Sequence, residues 1–190
     1  GNDKFIIGTS DDAVGETYTG GDDSDTLDVN AAANLSDDTI ATMEVLDLDA
    51  GGSTAVAVTM TDAQVDGFTT IVAAASAIGT GDKITLSDAM TADMLDNTVL
   101  GASTDADEVI FVLADVASNA LTLVDATLAQ ASDKLFIDGS NLTGTNALTF
   151  DGTAEDDAAV LTVTGGAAAD TIKGGDGADV ITGGAGADKL

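Results

Sequence analysis

The chain has 190 residues, with 34 Asp and Glu against 5 Lys and a formal net charge of −29. Nothing in it can neutralise phosphates, so nucleic acid is excluded as a partner and an anionic membrane surface is disfavoured. The absence of His and Cys removes the commonest general base, thiol nucleophiles and disulfides. So much like charge opposes a compact state unless cations offset it. Yet 44% of the residues are hydrophobic, too many for a disordered chain. Nearly all the acid is Asp, which suits turns and tight metal loops; the Glu are Glu16, Glu44, Glu108 and Glu155.

Gly1-Asn2-Asp3-Lys4-Phe5 opens with an Asp two residues before an apolar side chain. Gly20-Gly21-Asp22-Asp23-Ser24-Asp25-Thr26-Leu27 then repeats a Gly-Gly turn running into Asp25 and an apolar residue. Residues 1–28 form a first region of such turns.

Residues 29–150 lack the full G-G-x-G-x-D signature but keep a rhythm of short β-type runs. These are Val45–Leu48, Ala55–Val58, Thr69–Val72, Ile84–Leu86, Val109–Leu113, Leu121–Leu123, Leu135–Ile137 and Ala147–Phe150, followed by Val160–Val163. A D-x-apolar junction recurs before strands, at Asp3, Asp25, Asp82, Asp107, Asp133, Asp179 and Asp188. A repeated turn-to-strand junction is what a stack of coils produces. Leu35–Thr42 and Ser87–Asp96 carry caps and apolar spacing that predict helices. Thr61–Phe68 predicts one further helical turn.

Residues 151–190 contain the most regular pattern. From Gly165 the chain reads GGAAADTIK, GGDGADVIT, GGAGADKL, a nine-residue period starting at Gly165, Gly174 and Gly183. The middle unit fits G-G-x-G-x-D-x-U-x in full, with U a large apolar residue; the first unit has Ala168 in the third Gly place. Glycine permits the tight turn, the Asp supplies a hard oxygen, and the following three residues make a short strand with its middle side chain inward. Two such half-coils complete one turn, so Asp170 and Asp188 are expected on one edge and Asp179 on the other. Gly152–Asp157 is a degenerate turn one half-coil earlier, expected on the edge of Asp179.

This segment resembles the RTX, or haemolysin-type calcium-binding, repeats of bacterial secreted proteins. The resemblance implies a right-handed parallel β-roll that folds on binding Ca²⁺, and export by type I secretion. It implies metal ligation by three turns: Gly165, Gly166, Ala168 and Asp170; Gly174, Gly175, Gly177 and Asp179; Gly183, Gly184, Gly186 and Asp188. Candidate ligands in less complete turns are Asp157, Gly20, Asp22, Asp25 and Asp3. The rhythm of the middle region resembles RTX-type surface-layer proteins and large adhesins.

The expected fold is all-β, a right-handed parallel β-solenoid or β-roll with short helical excursions. The expected function is structural: a secreted, calcium-binding segment of a bacterial cell-surface layer or adhesin that folds and self-associates on binding Ca²⁺. Clustered carboxylates predict that the metal-free chain is largely unfolded. One alternative is a folding and secretion module of an exported enzyme; another is an adhesin domain that contacts cell-surface polysaccharide or ice. Both ends look cut from a longer array. No catalytic residue is assigned, because adjacent carboxylates arise by chance among so many Asp, and no run is long enough to insert in a membrane.

Overall fold

The computed structural model describes residues 1–9, 13–48, 55–73, 80–100, 108–125, 127–128, 132–155 and 159–190. In chain order its elements are β1 (Lys4–Ile7), β2 (Thr17–Thr19), β3 (Thr26–Val29), β4 (Ala33–Asn34), β5 (Thr39–Ala41), β6 (Val45–Asp47) and β7 (Ala57–Met60). There follow α1 (Asp62–Asp66), β8 (Thr70–Val72), β9 (Asp82–Leu86), β10 (Val99–Leu100), β11 (Glu108–Val112) and β12 (Asn119–Thr122). The last are β13 (Lys134–Asp138), β14 (Leu148–Asp151), β15 (Val160–Thr164), β16 (Thr171–Lys173) and β17 (Val180–Thr182). Every described pairing between strands is parallel, and the chain is an all-β solenoid of stacked coils.

The sheets are columns running along the stack. One column is β1-β3-β6-β8-β10, extended by a bridge from Leu100 to Leu128. A second is β4-β7-β9-β11-β13-β15-β17. The third side begins with the pair β2-β5 and ends with β12-β14-β16. Between those two groups it is continued by α1 and the turns at 90–97. Gln64 Nε2 donates to the carbonyls of Leu35 and Asp38, and Thr91 N–H donates to Asp62 Oδ1. Ala120 and Thr122 N–H donate to the carbonyls of Met90 and Ala92.

Coil length is read from the register of the second column. Ala33, Val58, Ile84, Phe111, Ile137, Val163 and Ile181 are successive partners, spaced 25, 26, 27, 26, 26 and 18 residues. The final spacing is two nonapeptides. The coils between Ala33 and Ile137 visit three sides, whereas the last coil visits two, because the turn at Gly174–Asp179 leads directly from β16 to β17. The solenoid therefore narrows from three sides to a two-sided roll.

Alternation along each strand puts one set of side chains inside. Leu27, Leu46 and Ile71 line the first column, Val58, Ile84, Phe111, Ile137 and Val163 the second, and Leu121, Phe150 and Ile172 the third, all buried in one core. The two longer helices expected from the sequence are absent. Residues 36–38 turn into β5, and 87–97 form bends and turns; Met90, Met94 and Leu95 are core residues on that non-helical backbone. Only α1 is helical among the described residues, where Thr61 caps and Gln64 closes a capping box. Among the described residues no helix is long and apolar enough to cross a membrane.

Candidate metal centre

At one edge of the roll, the Gly165–Asp170 turn lies between residues 139–142 and the Gly183–Asp188 turn. Ala167 N–H donates to the Leu142 carbonyl, and Ala185 N–H to the Gly166 carbonyl. At the other edge Gly174–Asp179 lies on Gly152–Glu155, with Asp176 N–H on the Glu155 carbonyl. Asp170 and Asp188 thus share an edge and Asp179 takes the opposite one. Asp157 lies outside the described residues.

The glycines of these turns sit where carbonyls of the adjacent coil crowd the backbone. A Cβ on Gly177 would run into the Ala159 carbonyl oxygen, and one on Gly186 into that of Ala168. A Cβ on Gly175 would lie 2.6 Å from the Glu155 oxygen and 3.0 Å from that of Gly152. Gly184 would meet the Gly166 oxygen; it and Gly186 also have φ of 90° and 126°, which favour glycine. Ala168 occupies the third Gly place of its turn and presents its carbonyl to Gly186. The first glycine of each turn faces the carboxylate five residues on: Gly165 meets Asp170 Oδ2, Gly174 meets Asp179 Oδ2 and Gly183 meets Asp188 Oδ2.

The carboxylates are tied to backbone amides of two coils. Asp170 Oδ2 accepts Gly166 N–H at 2.8 Å within its own turn, and Oδ1 accepts Leu148 N–H at 2.7 Å from the preceding coil. Asp179 repeats this with Gly175 N–H at 2.9 Å and Leu161 N–H at 3.0 Å. Asp188 Oδ1 accepts Asp170 N–H at 3.0 Å. Each carboxylate oxygen has two acceptor sites, so one N–H leaves one for a cation. Among the described residues no three acidic side chains converge on one point. A cation in these turns would therefore be held by carbonyls of stacked coils together with one or two Asp, which is hard oxygen chemistry suited to Ca²⁺. The residues present fit that ion.

The same carboxylate-to-previous-coil bond runs along the molecule and explains the repeated Asp at strand starts. Asp25 Oδ1 accepts Asp3 N–H and Asp82 Oδ1 accepts Val56 N–H, both at 2.6 Å. Asp3 itself is exposed and meets Asp25 through its backbone, and Asp22 is exposed on the Gly20 turn. Three of the rare Glu do the same work: Glu44 takes Asp25 N–H, Glu108 takes Thr80 and Gly81 N–H, and Glu155 takes Leu128 N–H. Sequence reasoning missed these three. Their scarcity among so many Asp was the available signal.

Residues 162–190 match the family model of the RTX calcium-binding nonapeptide repeat (4 copies). Comparisons with curated proteins and with solved structures gave no match. The C-terminal coils are therefore an array of RTX repeats, a motif that binds calcium.

Proposed function

We propose that this chain is a structural segment of an extracellular, cell-surface assembly, a surface layer or an adhesin, whose C-terminal roll is closed by Ca²⁺. The observation that carries the proposal is the stacking of glycine turns whose carbonyls and Asp face one another across successive coils. The ligands are the turns of Gly165, Gly166, Ala168 and Asp170, of Gly174, Gly175, Gly177 and Asp179, and of Gly183, Gly184, Gly186 and Asp188. Asp157 is a further candidate ligand for this roll. Bound Ca²⁺ supplies positive charge between turns that otherwise repel, and it links coils where the apolar core thins. The rest of the solenoid is a continuous core with carboxylates at its corners, which suits a rigid spacer. No catalytic role is proposed.

Titration calorimetry tests the assignment. Asp179→Ala removes a carboxylate from the turns and should weaken calcium binding more than tenfold. Asp93→Ala, on the turn at 92–97, should leave it unchanged. Equal loss in both variants would place the calcium elsewhere.

A further inference from the structure

The turn Gly20–Asp25 lies outside the matched repeats, at the other end of the solenoid, yet it is built like them. A Cβ on Gly165 would meet Asp170 Oδ2 and the carbonyl of Gly183 in the next coil. A Cβ on Gly20 would meet Asp25 Oδ2 and the carbonyl of Thr42 in the next coil. One difference separates the two. In the first two C-terminal turns the second glycine closes its N–H onto the Asp, as Gly166 and Gly175 do. Gly21 instead donates its N–H to Thr42 Oγ1 at 2.8 Å. Thr42 holds that position with φ of 51°, a left-handed backbone that a β-branched residue rarely adopts. Asp25 Oδ2 is left with no hydrogen-bond partner, on a side chain that is 0% exposed.

A buried carboxylate oxygen with no donor is costly unless something positive reaches it. We propose that Asp25 Oδ2 and the Thr42 carbonyl bind a hard divalent cation, Ca²⁺, as a second site independent of the C-terminal repeats. Asp25 Oδ1 is already engaged by Asp3 N–H, which fixes the carboxylate and aims Oδ2 at Thr42 and Gly20. Gly21, Asp22, Asp23 and Thr42 are exposed, so an ion has access from solvent and water can complete its shell. Asp22 and Asp23 raise the local negative potential. The Thr42 hydroxyl acts as a positioning group: by capturing Gly21 N–H it keeps Oδ2 free for metal.

The chain's one tyrosine, Tyr18, lies two residues before this turn, and the chain has no Trp. Terbium(III) shares the oxygen preference of calcium and luminesces when a nearby excited tyrosine transfers energy to it. The C-terminal turns lie several coils away, at ~4.8 Å per coil, and transfer falls steeply with distance. Tyrosine excitation of the full chain with terbium should therefore give saturable emission that excess Ca²⁺ displaces. Asp25→Asn should reduce the emission more than tenfold, and Asp179→Asn should not change it. Thr42→Gly relieves the backbone and frees Gly21 N–H to close on Asp25; it too should reduce emission, which keeps the test decisive if Asp25→Asn fails to fold. A wild-type chain that binds terbium by calorimetry without tyrosine-sensitised emission overturns the second site. So does emission in folded Asp25→Asn equal to wild type. Failure of the C-terminal assignment would show separately, as calorimetry unaffected by Asp179→Ala.

Discussion

Gly177 packs against the Ala159 carbonyl so closely that no side chain fits without moving backbone. Gly177→Ala should cost about 1–3 kcal/mol by overpacking and should weaken calcium binding with it. Gly144 is the contrast: it has φ of 62° and open space around its Cα, so alanine there meets only backbone strain. Urea denaturation of both variants in calcium separates the effects; equal behaviour would mean that the crowding at Gly177 is relieved at no cost. A second residue-scale effect depends on pH. Asp151 and Lys173 are cross-strand partners in β14 and β16, and their side chains form an ion pair. The hydrogen bond from Lys173, aided by Thr153, holds the Asp151 carboxyl down at about 2. Its folded value is depressed, so the stabilisation is present above the ordinary carboxylate range near ~3.9 and is lost as pH falls toward 2. The pair is largely exposed, so Lys173→Met should cost only ~0.2–1 kcal/mol at neutral pH. The gap between variant and wild type should close in acid; a gap that persists there would assign the effect to packing.

The elements show how neighbouring coils override local preference. Ser87–Asp96 has helical spacing, yet the coils on either side capture its hydrogen-bonding groups. Met90 N–H donates to Asn119 Oδ1 and Thr91 N–H to Asp62 Oδ1, while the carbonyls of Met90 and Ala92 accept from Ala120 and Thr122. In the same way Thr39–Ala41 pairs with β2 rather than joining a helix. The five residues of α1 are too few to stand as an isolated helix. They persist because Gln64 closes the capping box and its amide also reaches the carbonyls of Leu35 at 2.6 Å and Asp38 at 3.0 Å. Gln64→Ala should cost about 1–3 kcal/mol, more than a cap alone, because the Leu35 and Asp38 carbonyls of the preceding coil both lose the amide donor, Leu35 keeping only Asp38 N–H. Chemical denaturation measures this, and a loss of only a few tenths would show that water replaces the amide.

At the scale of the whole molecule the core is unequal along its length. Fully buried large side chains run from Ile7 to Phe150, and Ile172 is still sealed. In the last coil Ile181 is only partly buried and Leu190 is 67% exposed. The two-sided coils enclose a narrower core between stacked glycine turns whose carbonyls face one another, whereas the three-sided coils enclose a continuous core of large side chains. Chelation should therefore remove hydrogen-exchange protection first from residues 165–190 and leave β7 to β13 protected, with only part of the β circular-dichroism signal lost. Uniform loss would show instead that calcium holds the entire chain, as the charge of −29 alone suggests. Mg²⁺ should restore the roll poorly, since it demands strict octahedral geometry. The same charge keeps copies apart, and calcium neutralises it. Light scattering should report self-association as Ca²⁺ rises beyond the point where folding is complete; a chain that stays monomeric into the millimolar range counts against the lattice role.

Three features of the amino-acid order were sufficient by themselves. The nonapeptides from Gly165 specify the roll, because their glycines, Asp and inward Ile172 and Ile181 all lie within one local period. Alternating runs such as Val160–Val163 mark strands, because side-chain direction is set by the backbone residue by residue. The Asp before β1, β3, β13, β16 and β17 marks a repeated junction. Only the tertiary structure decided what those parts do together. Alternation encodes which side chains face inward but not how many sides a coil has, so the change from three sides to two appears only in the register. The partner of a junction carboxylate is an amide 18 to 28 residues earlier, a distance set by the length of the intervening coil. The same coil length brings Thr42 to Gly21 and leaves Asp25 with a free oxygen, although the Gly20 turn and the Gly165 turn look alike as sequence.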